Sequence, residues 1–399
     1  MSVMAAEEIV AGPRTTAAWL PIMVVVFVAF LVIGIAMPVL PLHVHNGMGF
    51  GTFVVGIVAG SQFAASLVSR PWAGHFSDSR GAKRAVIVGL LAATASGLLY
   101  LLSLAFSSAP VTSIAILLLG RALLGGAESF IITAAVSWGL ALVDARSTGK
   151  VIAWVGSAMF AIGAPVGAAL YSDYGFAAIA FATASAPLGT LLLVAPIRTV
   201  APVPRTRLSF AKVLDAVWIP GFGSALGSVG FGAVTTFVAL LFANRGWANG
   251  WLAYTAYATA FILARIFFSH LADAIGGTKV ALVCALIEAV GQALIWLAHG
   301  PEMAFAGAAL TGFGFSLVYP SFGVEAVRRV PAQSRGLAMG AYTAFLDLAQ
   351  GVASPALGLV ASGTRLNVVF LASAITVICA ALVASWLMAH PPTMEGSPQ

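Results

Sequence analysis

The stretch Gly74-His-Phe-Ser-Asp-Ser-Arg-Gly-Ala-Lys-Arg84, GHFSDSRGAKR, places one acid and three bases within seven residues. The chain around it hardly carries charge: of 399 residues 8% are charged and 60% are hydrophobic. A soluble protein of this size needs far more charged surface. Apolar stretches of roughly 20 residues recur on either side of the charged one, the length of a helix that crosses a bilayer. The formal net charge of +6 could serve nucleic acid, but no compact basic domain exists to bind it. Topogenic loops account for the same charge.

Twelve helical spans fit: 18–41, 52–73, 85–107, 112–134, 150–171, 175–197, 216–243, 250–271, 280–299, 302–324, 337–360 and 366–388. The first is too long for a cleaved signal core and is expected to be retained. The longest polar break, Arg198 to Asp215, contains Pro202, Pro204, Arg205, Arg207 and Lys212. It divides the chain into a tail (1–17), a six-helix bundle (18–197), a linker (198–215), a second bundle (216–388) and a tail (389–399). With the N-terminus inside, fourteen of the nineteen Lys and Arg residues fall on internal segments, and only Arg245 and Arg365 on external loops. That imbalance is the positive-inside pattern and puts both termini in the cytoplasm. The fold class is therefore an all-α polytopic membrane protein, and the opening stretch joins helices 2 and 3 at its cytoplasmic face.

The stretch also repeats. Shifted by 195 residues, SRPWAGHFSDSRGAKR lies over ARIFFSHLADAIGGTK: Arg70 meets Arg265, His75 meets His270, Asp78 meets Asp273, Gly81 meets Gly276, and Arg84 meets Lys279. Each copy follows the second helix of its own six-helix half. Parallel halves related by an axis along the membrane normal imply a transporter with a central cavity. Gly74 and Gly81 suit a tight approach and an unusual turn, Asp78 a helix N-terminus or an arginine at the rim, and Lys83 and Arg84 the anionic lipid surface. The matched Arg70 and Arg265 suggest symmetric gating contacts, although snorkelling arginines would look alike.

This arrangement resembles the major facilitator superfamily, whose signature between helices 2 and 3 runs Gly-x-Leu-Ala-Asp-Arg-x-Gly-Arg-Lys. Here Gly74, Asp78, Gly81 and Lys83 match it, while Ser79 and Ala82 replace two common arginines. The second copy keeps Leu271, Ala272, Asp273 and Gly276 and ends in Lys279. The resemblance implies twelve helices in two pseudo-symmetric six-helix bundles, with both copies at a cytoplasmic gate. GRALLGGAESF on helix 4 is similar to the family's arginine motif, which links Arg121 to proton coupling. Gly163-Ala-Pro165-Val-Gly167 on helix 5 looks like a partial form of an efflux-associated motif. MPVLPLHVHNGMGFG and VGIVAGSQFAASLVSRPWAGHFSD are similar to bacterial inner-membrane permeases described as arabinose-efflux-like, which implies export of small molecules from a bacterial cell.

Ionisable residues inside membrane helices usually face partners or a wet cavity. Arg121 and Glu128 are seven residues apart, hence on one face of helix 4. Glu128 is expected to carry a proton with Arg121 setting its field, because a nearby base and a dry environment act on a carboxylate in opposite senses. Asp347, without a basic neighbour on helix 11, is a second proton candidate, and an interhelical hydrogen bond is its alternative. Glu288 on helix 9 is a third, competing with a structural buried acid. Gly351, Pro355 and Gly358 permit close packing and a bend on helix 11. Cavity candidates are His43, Gln62, Tyr254, Tyr257, Tyr319 and Tyr342, with His43 and His45 as interfacial anchors in the alternative. Glu325 with Arg328 and Arg329 reads as an interface ion network.

Cys284 and Cys379 supply neither a disulfide framework nor a zinc site, and no metal or cofactor is expected. The sequence holds no phosphate-binding loop for ATP and no convincing set of catalytic residues, so an enzyme is not expected. The leading expectation is proton-driven export of a small organic or amphipathic solute, sugar or drug-like, by a monomer in the lipid bilayer. Proton-coupled uptake is the alternative, and a non-transporting receptor a more distant one.

Overall fold

The computed structural model describes residues 14–142, 162–196, 210–331 and 335–390. Among these the chain is helical throughout, with no strand. The helices are α1 (Arg14–Ala36), α2 (Thr52–Arg80), α3 (Ala82–Ala105), α4 (Pro110–Leu142), α5 (residues 162–174) and α6 (Phe176–Val194). After these come α7a (Phe210–Gly227), α7b (Val229–Arg245), α8 (Trp251–Phe268), α9 (Gly277–Leu297), α10 (Pro301–Arg328), α11 (Arg335–Gly363) and α12 (Val368–Ala389). Eleven segments of the described residues are long and apolar enough to cross a membrane, α7a and α7b counting as one. The start of the expected fifth span, most of both tails and most of the expected linker lie outside the described residues.

Several boundaries differ from expectation for identifiable reasons. Helix α2 does not stop near residue 73 but runs to Arg80, because an exposed helix keeps satisfying its own backbone beyond the apolar core. The expected loop therefore shrinks to Gly81, whose φ of +91° ends α2 and starts α3 in one residue. Gly276, its counterpart in the second copy, has φ +100° and starts α9 in the same way. Glycine adopts such angles without the steric cost a Cβ brings. Gly74, in contrast, sits within α2 with open space where a Cβ would go, so no close approach requires it. Residues 210–215, expected as linker, are the first turns of α7a. The seventh span is broken at Ser228 inside Gly227-Ser-Val-Gly230, where Gln350 of α11 donates Nε2–H to the Ser228 carbonyl at 2.6 Å.

Small residues set the packing. Water supplies no hydrophobic drive between helices in lipid, so close backbone approach does much of the work. The seam between α2 and α11 is antiparallel: Gly56 lies on Ser354 and Pro355, Gly60 on Gly351, and Gly358 on Thr52 and Phe53. Thr52 Oγ1 donates to the Gly358 carbonyl at 2.9 Å at one end of this seam. Gly163 and Gly167 of α5 rest on Gly34 and Ile35 of α1. Apolar side chains such as Leu98, Leu119, Phe181, Leu192 and Leu382 point outward, as a lipid-facing surface requires.

Candidate functional site

Helix α2 carries Gln62, Ser66 and Arg70 at four-residue spacing, which puts all three on one face. That face meets α4 and α11. Gly125 of α4 lies against the backbone of Gln62 and Ser66, so the two helices approach closely. Gln62 Nε2 then donates to Glu128 Oε2 at 2.8 Å. The hydroxyls of Ser66 and Ser129 are 3.0 Å apart, and Ser129 Oγ donates to the Ser66 carbonyl at 2.8 Å.

From the other direction α11 brings Asp347, 3% exposed, into an ion pair with Arg70 Nε. Ser66 Oγ donates weakly to the same carboxylate oxygen at 3.4 Å. Ser129, Ser66, Asp347 and Arg70 thus form one polar chain from α4 through α2 to α11, and Gln62 with Glu128 forms a separate contact between α2 and α4 one turn along.

Arg121 and Glu128 lie on one helix, α4, two turns apart. Seven residues along a helix span about 10 Å, beyond an ion pair. Arg121 donates Nε–H to the Val58 carbonyl at 3.3 Å. The symmetric role expected for Arg70 and Arg265 fails. Arg265 donates to the Ser316 carbonyl at 3.0 Å and lies over the Phe261 ring, within its own set of helices.

The remaining candidate residues scatter over the molecule, and their contacts place them. Tyr342 donates to the Tyr319 carbonyl, and Tyr319 meets Thr343 Oγ1 at 3.1 Å, between α10 and α11. Tyr254 donates to the Thr235 carbonyl, and Tyr257 stacks near Phe231 and Phe261. Both are buried inside the second set of helices. His43 stacks on Phe176 at 3.9 Å, and His45 Nδ1 contacts the Phe50 carbonyl. Glu288 is fully buried against Gly230. Asp78, Arg84, Asp273 and Lys279 are exposed, and Lys83 donates to the Ala195 carbonyl at 2.7 Å. Glu325 pairs with Arg329 at 2.9 Å. Sequence reasoning passed over Ser66, although the spacing of Gln62, Ser66 and Arg70 was a legible signal.

The Major Facilitator Superfamily profile matches residues 22–252 and 246–399. An uncharacterized MFS-type transporter of Pseudomonas aeruginosa (strain LESB58) is 42% identical over 356 residues, covering 84% of each chain. One of Burkholderia mallei (strain SAVP1) is 40% identical over 383 residues, covering 93% of this chain and 92% of the relative. Among solved structures, the nucleoside transporter NupG superposes with TM-score 0.74 at 15% identity, covering 94% of this chain and 99% of that one. An auto-inhibited POT family peptide transporter does so with TM-score 0.74 at 10% identity, covering 97% and 99%. The human organic anion transporter MFSD10 has TM-score 0.69 at 14% identity, covering 94% and 100%. Those three likenesses concern the fold, and the two bacterial relatives carry no substrate in their names. With an all-helical multi-pass membrane fold and a family match over nearly its whole length, the chain belongs to the Major Facilitator Superfamily and is a transporter, not an enzyme.

Proposed function

We propose that the chain is a proton-coupled secondary transporter of a small organic solute, working by alternating access between two six-helix bundles with both termini cytoplasmic. The observation that carries the coupling is the Arg70–Asp347 pair, which joins a helix of the first six to a helix of the second. A proton on Asp347 neutralises the oxygen that holds Arg70 and loosens the seam. Glu128, bonded to Gln62 one turn before Ser66 on α2, is the second proton acceptor. Solute binding and proton binding then act on one mechanical contact, and each alters the affinity for the other.

For direction we favour uptake with the proton over the export expected from the sequence. The helix 5 motif behind the export expectation packs Gly163 and Gly167 on α1 of the same half. At the end of the bundle opposite Gly81, a cavity of about 660 Å³ suits solute arriving from outside. The test is flux in vesicles holding the purified protein, with an imposed pH gradient and labelled nucleosides, dipeptides, sugars and organic anions. Solute accumulating on the side to which protons flow supports uptake. Movement against the proton flow selects export, and binding without flux across the panel overturns the transport reading.

A further inference from the structure

The cavity of about 660 Å³ lies where the ends of α2, α7b and α11 meet the chain segments beside them. Residues of both halves line it: His45, Asn46 and Thr52 from the first, Asn244, Arg245, Arg365 and Asn367 from the second. The lining offers two guanidiniums and three amides and no carboxylate. Among the described residues neither Arg245 nor Arg365 enters an ion pair. The Arg245 guanidinium lies 5.8 Å from the Trp247 ring centroid.

The placement of these arginines runs against the general charge distribution. External loops of membrane proteins are poor in Lys and Arg, and this chain puts two bases there, Arg245 and Arg365. Both face one cavity. The acids at the same end, Asp173 and Glu302, do not line it. Two unneutralised cations in one concavity focus a positive potential, and the planar fork of arginine matches carboxylate and phosphate oxygens. The volume falls in the range of small-molecule sites.

We infer that this cavity is an anion-binding antechamber for a molecule bearing a carboxylate or phosphate group. The anion is gripped by Arg245 and Arg365, and the amides of Asn46, Asn244 and Asn367 donate around it. Because residues of both halves line the cavity, an occupant bridges them beside the Thr52–Gly358 hydrogen bond. The cellular role rests on the transport reading, as the place where a solute is gathered before it crosses. The chemistry fits a free organic anion and a lipid headgroup phosphate equally.

The test is equilibrium binding, with no gradient imposed, to the full chain in nanodiscs of phosphatidylcholine. Citrate and inorganic phosphate are the titrants. The expected result is saturable binding of at least one, about tenfold weaker in Arg365→Gln and partly restored in Arg365→Lys. A second arm uses nanodiscs containing phosphatidylglycerol, with retained lipid read by native mass spectrometry. Retention that falls in Arg365→Gln assigns the cavity to a headgroup and upholds the anion site. Arg365 is exposed, so its replacement leaves packing intact, and Arg245→Gln provides an independent variant. Absence of saturable binding in the first arm and of variant-sensitive retention in the second overturns the inference. Binding that all the variants leave unchanged overturns it too. A protein that binds citrate through these arginines yet moves no solute would sink the transport reading and leave this one standing.

Discussion

Replacing Asp347 by Asn removes the carboxylate that answers Arg70 across the α2–α11 seam while keeping the side chain's shape. Removing one member of a buried ion pair costs about 3–5 kcal/mol, mostly from the charge left unanswered. The side chain of Asp347 is 4% exposed and that of Arg70 is 21% exposed, so water relieves part of the penalty. The lower figure of about 3 kcal/mol is therefore appropriate. If it falls on the paired conformation alone, the ratio of separated to paired molecules rises about 150-fold. The assay is a distance measurement between spin labels at Ser79 and Arg328, both exposed at the end of the bundle where the Asp78 stretch lies. Cys284 and Cys379 are replaced by Ala first. The long-distance population should grow in Asp347→Asn and in Arg70→Gln, and the double variant should open less than the two single effects combined. Acid should open the parent protein, because a proton on Asp347 breaks the same contact, and should act less on Asp347→Asn. An unchanged distance distribution in Asp347→Asn at neutral pH refutes the reasoning.

Glu128→Gln keeps the hydrogen-bonding shape opposite Gln62 but cannot release a proton. It should abolish pH-driven flux in vesicles while solute exchange without a gradient continues, and undiminished driven flux rejects Glu128 as an essential carrier. Gly56→Ala forces a Cβ into the Ser354 carbonyl and should lower the thermal unfolding midpoint, whereas Gly74→Ala, with open space around it, should leave the midpoint unmoved. Gly81→Ala places a Cβ at φ +91°, ψ 148° and should cost about 1–3 kcal/mol, read in the same unfolding measurement. Gly230→Ala overlaps Glu288 Oε1; it should destabilise the protein alone, and Glu288→Ala should recover much of the loss.

The fold was legible because its determinants are local. A lipid-crossing helix needs only length and apolarity, and the copies around Asp78 and Asp273 are visible as letters. Gly81 and Gly276 then adopt nearly the same backbone angles, which only a turn shared by both copies explains. The polar chain was legible only in part, because its partners come from helices far apart in sequence. Asp347 looked solitary on α11, and its cation lies 277 residues away. The break at Ser228 was not legible because its partner, Gln350, lies 122 residues away on α11.

The repeat makes the two halves similar without making them equivalent, and the difference lies where the function needs it. Shifting Asp347 back by 195 residues lands on Ile152, so the second copy's Arg265 has no acid at the corresponding place. It turns instead to a backbone carbonyl of its own half. A carbonyl cannot be neutralised by a proton, so that contact is indifferent to pH, whereas the Arg70–Asp347 contact is not. On the proposed alternating-access reading, the Arg70–Asp347 contact is a titratable latch, and among the described residues Arg265 makes a fixed contact in its place. With two titratable latches on opposite seams, a single proton would leave the molecule half-released. With one, the protonation of a single carboxylate is enough to bias the whole rigid-body equilibrium.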